Sequence, residues 1–306
     1  IAKAAALSKN KKLYEYLSEG QNFKLPVPMM NILNGGAHAD NPINIQEFMI
    51  IPANFNSFSE SLRAGAEIFR SLKENLKSSS LSTSVGDEGG FAPNISSVKH
   101  AIEIIIKSIS DAGYVSGKDI FLSLDAASSE FYENNLYQVE PGGCAKTIQG
   151  MIDFYGSLIR DYPILSIEDA MSEDDWEGWK YLTSKIEEEV QLVGDDLFVT
   201  QEKILQKGIN EKCANAILVK LNQVGSVTET IKTMELANKN KYSSMISHRS
   251  GETEDSFISH LVVGTSSGQI KTGAPARGER TAKYNELLRI GEQVGFGNFN
   301  NKKWKF

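Results

Sequence analysis

From residue 121 onward the chain repeats one pattern: a short apolar run that ends on a charged or titratable residue. Phe121-Leu122-Ser123-Leu124-Asp125, Ile164-Leu165-Ser166-Ile167-Glu168, Leu192-Val193-Gly194-Asp195, Ala216-Ile217-Leu218-Val219-Lys220 and Met245-Ile246-Ser247-His248 are five such runs. Their ends fall 43, 27, 25 and 28 residues apart, the length of a strand, a loop and a helix taken together. Helix-like spacing fills the intervals, for example over 176–189 and 227–238. A sixth unit ends at Gln269-Ile270-Lys271. Apolar strands that alternate with helices predict a parallel sheet covered by helices. Upstream, the apolar runs Met29 to Leu33 and Phe48 to Ile51 flank a polar loop at 34–46 and read as a strand pair. Six units after two strands favour a closed barrel over an open sheet. In such a barrel the chemistry lies at the carboxyl ends of the strands, where the charged residues fall.

The remaining stretches frame that unit. Residues 1–17 are rich in Ala and Lys and read as one helix, stopped by Gly20. Leu25-Pro26-Val27-Pro28 then reads as an extended connector. This divides the chain into 1–24, a remnant of an earlier domain with its linker, and 25–306, an α/β barrel. Residues 59–76 look helical and 78–84 form a Ser-rich loop. Asn94 or Ser96 is placed to cap a helix whose Val98, Ala101, Ile102, Ile105 and Ile109 recur at helical spacing, and Gly113 ends it.

Composition narrows the function. With 306 residues and 41% hydrophobic content the chain can bury a large core. A net charge of −7 and no basic stripe interleaved with aromatics argue against nucleic acid as a partner. Apolar runs such as Ile104-Ile105-Ile106 are far too short to span a membrane. Cys144 and Cys213 lack metal spacing and read as free thiols of a reducing compartment.

The strand ends carry the candidate chemistry. Asp125, Glu168 and Asp195 close three consecutive strands, and three carboxylates without Cys suit a hard divalent cation, Mg²⁺ before Zn²⁺. Taken singly, each reads more readily as a helix cap or a salt-bridge partner; the succession favours the metal. Lys220 and Lys271 end later strands. A lysine facing a cation site is a candidate base near neutral pH, and Lys220 could as readily neutralise Asp195. His248-Arg249-Ser250 offers a ring, a fixed cation and a hydroxyl at one edge, a match for phosphate. Val85-Gly86-Asp87-Glu88-Gly89-Gly90 presents Glu88 on a turn whose glycines let backbone approach a ligand. Glu47 precedes the second strand, with His38 in the loop before it. Paired carboxylates sharing a proton can supply a general acid. His100 and His260 lie in helical patterns and read as structural.

Nine segments carry a resemblance to one family: Leu33-Asn34-Gly35-Gly36-Ala37-His38-Ala39, Gln46-Glu47-Phe48-Met49, the Glu88 loop, Leu124-Asp125-Ala126-Ala127-Ser128-Ser129-Glu130-Phe131, Ser166-Ile167-Glu168-Asp169, Gly194-Asp195-Asp196, Val219-Lys220-Leu221-Asn222-Gln223, 247–255 and Gly268-Gln269-Ile270-Lys271-Thr272-Gly273. In this order they closely resemble the enolases, the phosphopyruvate hydratases of glycolysis. The resemblance implies a (β/α)8-type barrel of the enolase kind, preceded by a remnant helix of an α+β N-terminal domain whose lid lies upstream of Ile1. It implies a Mg²⁺ ion on Asp125, Glu168 and Asp195, which binds the carboxylate of 2-phosphoglycerate. Lys220 would take the C2 proton and Lys271 would neutralise the enolate. Glu88, with Glu47 beside it, would protonate the departing hydroxyl. Arg249 and Ser250 would grip the phosphate, while His38, Glu47 and His248 line the pocket. A Lys or His base assisted by Mg²⁺ is a property of this superfamily as a whole. Further expectations are a homodimer or higher homo-oligomer, a cytoplasmic location with a cell-surface or secreted pool, and poor turnover without the upstream lid. Ala170 departs from the family, which usually has Pro or Gly there. Lys302-Lys303-Trp304-Lys305 is a candidate docking tail for a binding role.

Overall fold

In the computed structural model, residues 1–18, 20, 23–95 and 97–299 are described. Ten strands and eleven α-helices follow in chain order among them. Two short helices come first, α1 (Ala2–Ser8) and α2 (Leu13–Leu17), then β1 (Val27–Asn34), β2 (Glu47–Ile51), α3 (Phe58–Ser78), α4 (Val98–Asp111) and β3 (Phe121–Asp125). A hairpin of β4 (Tyr132–Glu133) and β5 (Leu136–Tyr137) leads to α5 (Ile148–Asp161), β6 (Ile164–Glu168), α6 (Trp176–Ile186), β7 (Gln191–Gly194) and α7 (Glu202–Glu211). The last third holds β8 (Ala216–Val219), α8 (Leu221–Val224), α9 (Val227–Lys239), β9 (Ser243–Ser247), α10 (Phe257–Gly264), β10 (Gln269–Lys271) and α11 (Gly278–Val294).

Eight strands close into a barrel in the order β1-β10-β9-β8-β7-β6-β3-β2. Each charged run of the sequence pattern is therefore a barrel strand or ends one residue past it. The strands are almost wholly buried because both faces are covered, one by the barrel interior and one by helices. The sheet is not uniformly parallel: β2 runs antiparallel to both β1 and β3. The reason is the direct connection at 35–46, which carries only a short 3-10 turn and no crossover helix, so the chain must return in the opposite direction. As a result the first residue of β2, Glu47, lies on the same rim as the last residues of the parallel strands.

Helix boundaries follow local capping. Ser57, Ser97, Thr147, Asp175 and Ser226 each accept a backbone N–H in the first turn of the helix that follows. Ser97 thus caps α4, in place of the expected Asn94 or Ser96; Ser96 lies outside the described residues, as does the 302–305 tail. The single helix expected over 1–17 is two, broken at the Lys/Asn stretch where Asn10 takes φ +51°. No apolar residue there rewards continuing the helix. α2 packs on α10, and Tyr14 joins the core. The helix expected over 176–189 stops at Ile186.

Candidate active site

Register sets the first part of the mouth. Glu47 pairs with Asp125 across β2 and β3, and Asp125 pairs with Glu168 across β3 and β6. Three carboxylates therefore stand level on three adjacent strands, all at most 4% exposed. Lys271, at the end of β10, reaches them across the barrel mouth from two, three and four strands away. Its Nζ lies 2.8 Å from Glu168 Oε1, 2.9 Å from Asp125 Oδ2 and 3.3 Å from Glu47 Oε2. Burial disfavours the ammonium, but attraction to Asp125, Glu168 and Glu47 outweighs it and holds Lys271 well above its ordinary range. Glu168 is pushed well above the carboxylate range by burial and then by Asp125. Asp125 goes the other way: burial raises it, but Lys271 more than reverses that.

Asp195, just past β7, pairs with Lys220 just past β8, and its other oxygen accepts from Gln223 Nε2 at 3.0 Å. Burial alone would weaken the hold of Lys220 on its proton, yet Asp195 and Glu168 raise it overall. The pairing with Asp195, one of the two readings of Lys220, is thus present, and it is compatible with a base role. Asp169, buried with φ +42°, accepts the backbone N–H groups of Asp195 and Asp196 at 2.9 Å each and so aims the Asp195 loop.

Among the described residues, the triads whose ligand atoms all fall within 4.8 Å of one another are His38–Glu47–Glu88 and Asp169–Asp195–Asp196. The expected trio Asp125, Glu168 and Asp195 is not one of them: Lys271 stands between the first two carboxylates, and Lys220 holds the third. The donor set still fits a hard cation. It is all oxygen, and the buried Glu168 Oε2 has no hydrogen-bond partner.

The other side of the mouth holds Glu88 on the 85–90 loop. His248 Nε2 lies 3.2 Å from Glu88 Oε2, and Asn31 Nδ2 donates to the same oxygen at 3.2 Å. His38 Nδ1 is 3.7 Å from Glu47 Oε1. The two glutamates are split electrically. Burial, then Glu88, pushes Glu47 well above the usual range. Burial raises Glu88 as well, but His248, Lys271 and His38 together draw it well below. The loop glycines do something other than expected: a Cβ on Gly86 would meet the His38 carbonyl at 2.6 Å, and one on Gly90 would meet Asn34 Oδ1 at 2.4 Å. At these two positions they let two stretches of this chain approach each other.

Arg249 is half-buried and donates from Nη1 to Asn222 Oδ1 at 3.0 Å, while Ser250 is exposed beside it. His260 pairs with Glu286 at 3.1 Å and stacks on Tyr14, a structural placement; His100 is exposed. Two groups escaped the sequence reading. One is Asp169. The other is Arg280 in the first turn of α11, 1% exposed, whose guanidinium reaches His248 and three loop carbonyls.

In a barrel of this kind the chemistry lies at the carboxyl ends of the strands, where buried carboxylates here face two lysines. The family model described as Enolase, C-terminal TIM barrel domain matches residues 22–304, and the chain belongs to that family. This makes it a member of the enolase superfamily, whose enzymes are of lyase or isomerase type.

Proposed function

We propose that this barrel carries out the reversible dehydration of 2-phosphoglycerate to phosphoenolpyruvate. The observation that carries the reading is the convergence of Glu47, Asp125 and Glu168 on Lys271, with Lys220 beside Asp195 across the mouth. Removing a proton next to a carboxylate puts a second negative charge on that group, and fixed cations are what make the step accessible.

Asp125, Glu168 and Asp195 would hold Mg²⁺, which when bound would supply positive charge against the substrate carboxylate. Lys220 Nζ takes the C2 proton. Its burial disfavours the ammonium, so whatever draws Asp195 away from it weakens its hold on the proton. Lys271 Nζ, kept protonated, offsets the enolate charge. The C2 electron pair then forms the C2–C3 double bond as the C3–O bond breaks. The hydroxyl leaves as water with a proton from the Glu47/Glu88 pair. Arg249 and Ser250 bind the phosphate, and His38 and His248 wall the pocket.

The test is deuterium uptake at C2 of 2-phosphoglycerate in D2O with Mg²⁺, together with the ultraviolet signal of phosphoenolpyruvate. Exchange with the phosphorylated acid and none with glycerate is expected. Exchange of glycerate at an equal rate would sink the phosphate assignment, and no exchange of either would sink the reaction.

A further inference from the structure

Arg280 enters the mouth from behind. Its Nη1 lies 2.6 Å from His248 Nδ1 and donates to the Arg249 carbonyl at 2.5 Å. Its Nη2 donates to the carbonyls of Asp87 at 2.9 Å and Ser250 at 2.6 Å. A guanidinium has only donors and keeps its charge at any working pH. His248 Nδ1 must therefore be the acceptor, and an imidazole that accepts at Nδ1 carries its proton on Nε2. That nitrogen faces Glu88 Oε2 at 3.2 Å, a loose approach of the kind that tightens when substrate binds. The same guanidinium ties the residue preceding Glu88 to the two residues assigned to phosphate.

The backbone is built around this contact. Gly273, just past β10, has φ +76°, and a Cβ there would meet the Glu88 carbonyl at 2.7 Å, Arg280 Cδ at 2.9 Å and His248 Cε1 at 3.0 Å. One turn along α11, the fully buried Lys283 pairs with Glu252 and donates to the Thr253 carbonyl. Both early turns of α11 are thus committed to holding the loop at 249–253.

We propose that Arg280 is a positioning residue: it fixes His248 as the tautomer whose Nε2–H faces Glu88, and it clamps the Glu88 loop to the Arg249–Ser250 loop. This rests on the acid role proposed for the Glu47/Glu88 pair. Loss of Arg280 should then harm departure of the hydroxyl more than removal of the C2 proton by Lys220. Lysine is no substitute, since one ammonium cannot serve four acceptors spread over a fork.

The experiment uses ¹⁵N-histidine labelling of the whole chain, which has four histidines, with His248 assigned by its loss in His248→Gln. The parent should show an unprotonated Nδ1 and a protonated Nε2 at His248, and Arg280→Met should populate the other tautomer. A parent with its proton on Nδ1 overturns the proposal, as does an unchanged tautomer in Arg280→Met. In kinetics, Arg280→Met and Arg280→Lys should lower dehydration relative to C2 exchange by about tenfold or more, within the ~10²–10⁴-fold that a general acid contributes. Equal loss of both rates would mean a general loosening of the mouth and overturn it. If Arg280→Met does not fold, Arg280→Lys and the parent spectrum decide. The tautomer arm needs no substrate, so a parent that neither exchanges nor dehydrates sinks the proposed reaction and leaves this inference to the spectrum.

Discussion

Replacing Lys271 by methionine, which keeps the stem and removes the ammonium, is expected to destabilise the barrel while leaving its walls intact. Lys271 Nζ is within 3.3 Å of three carboxylates, and its side chain is 3% exposed. Removing one partner from a buried ionic group typically costs about 3–5 kcal/mol, because the charge left behind is uncompensated. Over 306 residues, an unfolding entropy of about 2.1 cal/mol/K per residue gives ~0.64 kcal/mol/K, so the loss corresponds to roughly 5–8 °C in Tm. Calorimetric scans in chelator should show that drop. Mg²⁺ should then raise the Tm of Lys271→Met more than that of the parent, because the variant offers Asp125 and Glu168 without a competing ammonium. The drop should also shrink from about pH 8 to about pH 6: Glu47 and Glu168 already sit well above the usual range, and a protonated carboxyl no longer misses its partner. A variant within about 1 °C of the parent in chelator would refute the cluster energetics. Equal Mg²⁺ shifts in both proteins would show that Lys271 and the cation do not share carboxylates.

Lys220→Ala should abolish C2 exchange and cost dehydration ~10²–10⁴-fold while Mg²⁺ affinity by titration calorimetry holds or tightens, since Asp195 loses its ammonium; exchange at the parent rate would remove Lys220 as the base. Arg249→Lys should raise KM more than it lowers kcat, because a point charge cannot make a two-pronged phosphate contact, and an unchanged KM would move the phosphate elsewhere. His260 is lowered by burial despite Glu286, so the unfolded chain binds the proton more readily and stability falls as pH drops below 6.5. In His260→Gln the fall in Tm between about pH 7.5 and about pH 5.5 should be smaller than in the parent; an equal fall would assign it to other groups.

The strand ends were readable because their signal is local: an apolar run must be buried, and the charge that stops it marks the rim. Glu47 was placed beside the second strand from its own run, Phe48 to Ile51. The upward push on its carboxyl was not readable, because that depends on its burial and on Glu88, Lys271 and Asp125 arriving from far along the chain. Arg280 gave no signal at all. It lies in Ala276-Arg277-Gly278-Glu279-Arg280, an ordinary polar helix start, and one of its acceptors, the Asp87 carbonyl, is 193 residues away. Lys220 shows a subtler limit. Spacing put it next to Asp195 and left open whether it is base or partner; the structure shows the ion pair with Asp195, and that contact does not decide the base role. The glycines of the Glu88 loop were read as room for a ligand, whereas the space they leave is filled by His38 and Asn34.

The barrel closes where β10 pairs with β1, Val27 against Gln269, with nearly the whole chain between them. Lys271 lies in that seam, paired with Met29, and its side chain joins β10 to the carboxylates of β2, β3 and β6. Closing so long a loop is a slow, late event in folding. The ionic mouth therefore cannot preassemble on a half-formed barrel, and its appearance during refolding is a clock for closure of the ring. Nascent or truncated chains that lack β10 would leave Glu47, Asp125 and Glu168 without the Lys271 ammonium, which makes an open barrel electrostatically distinct from a finished one.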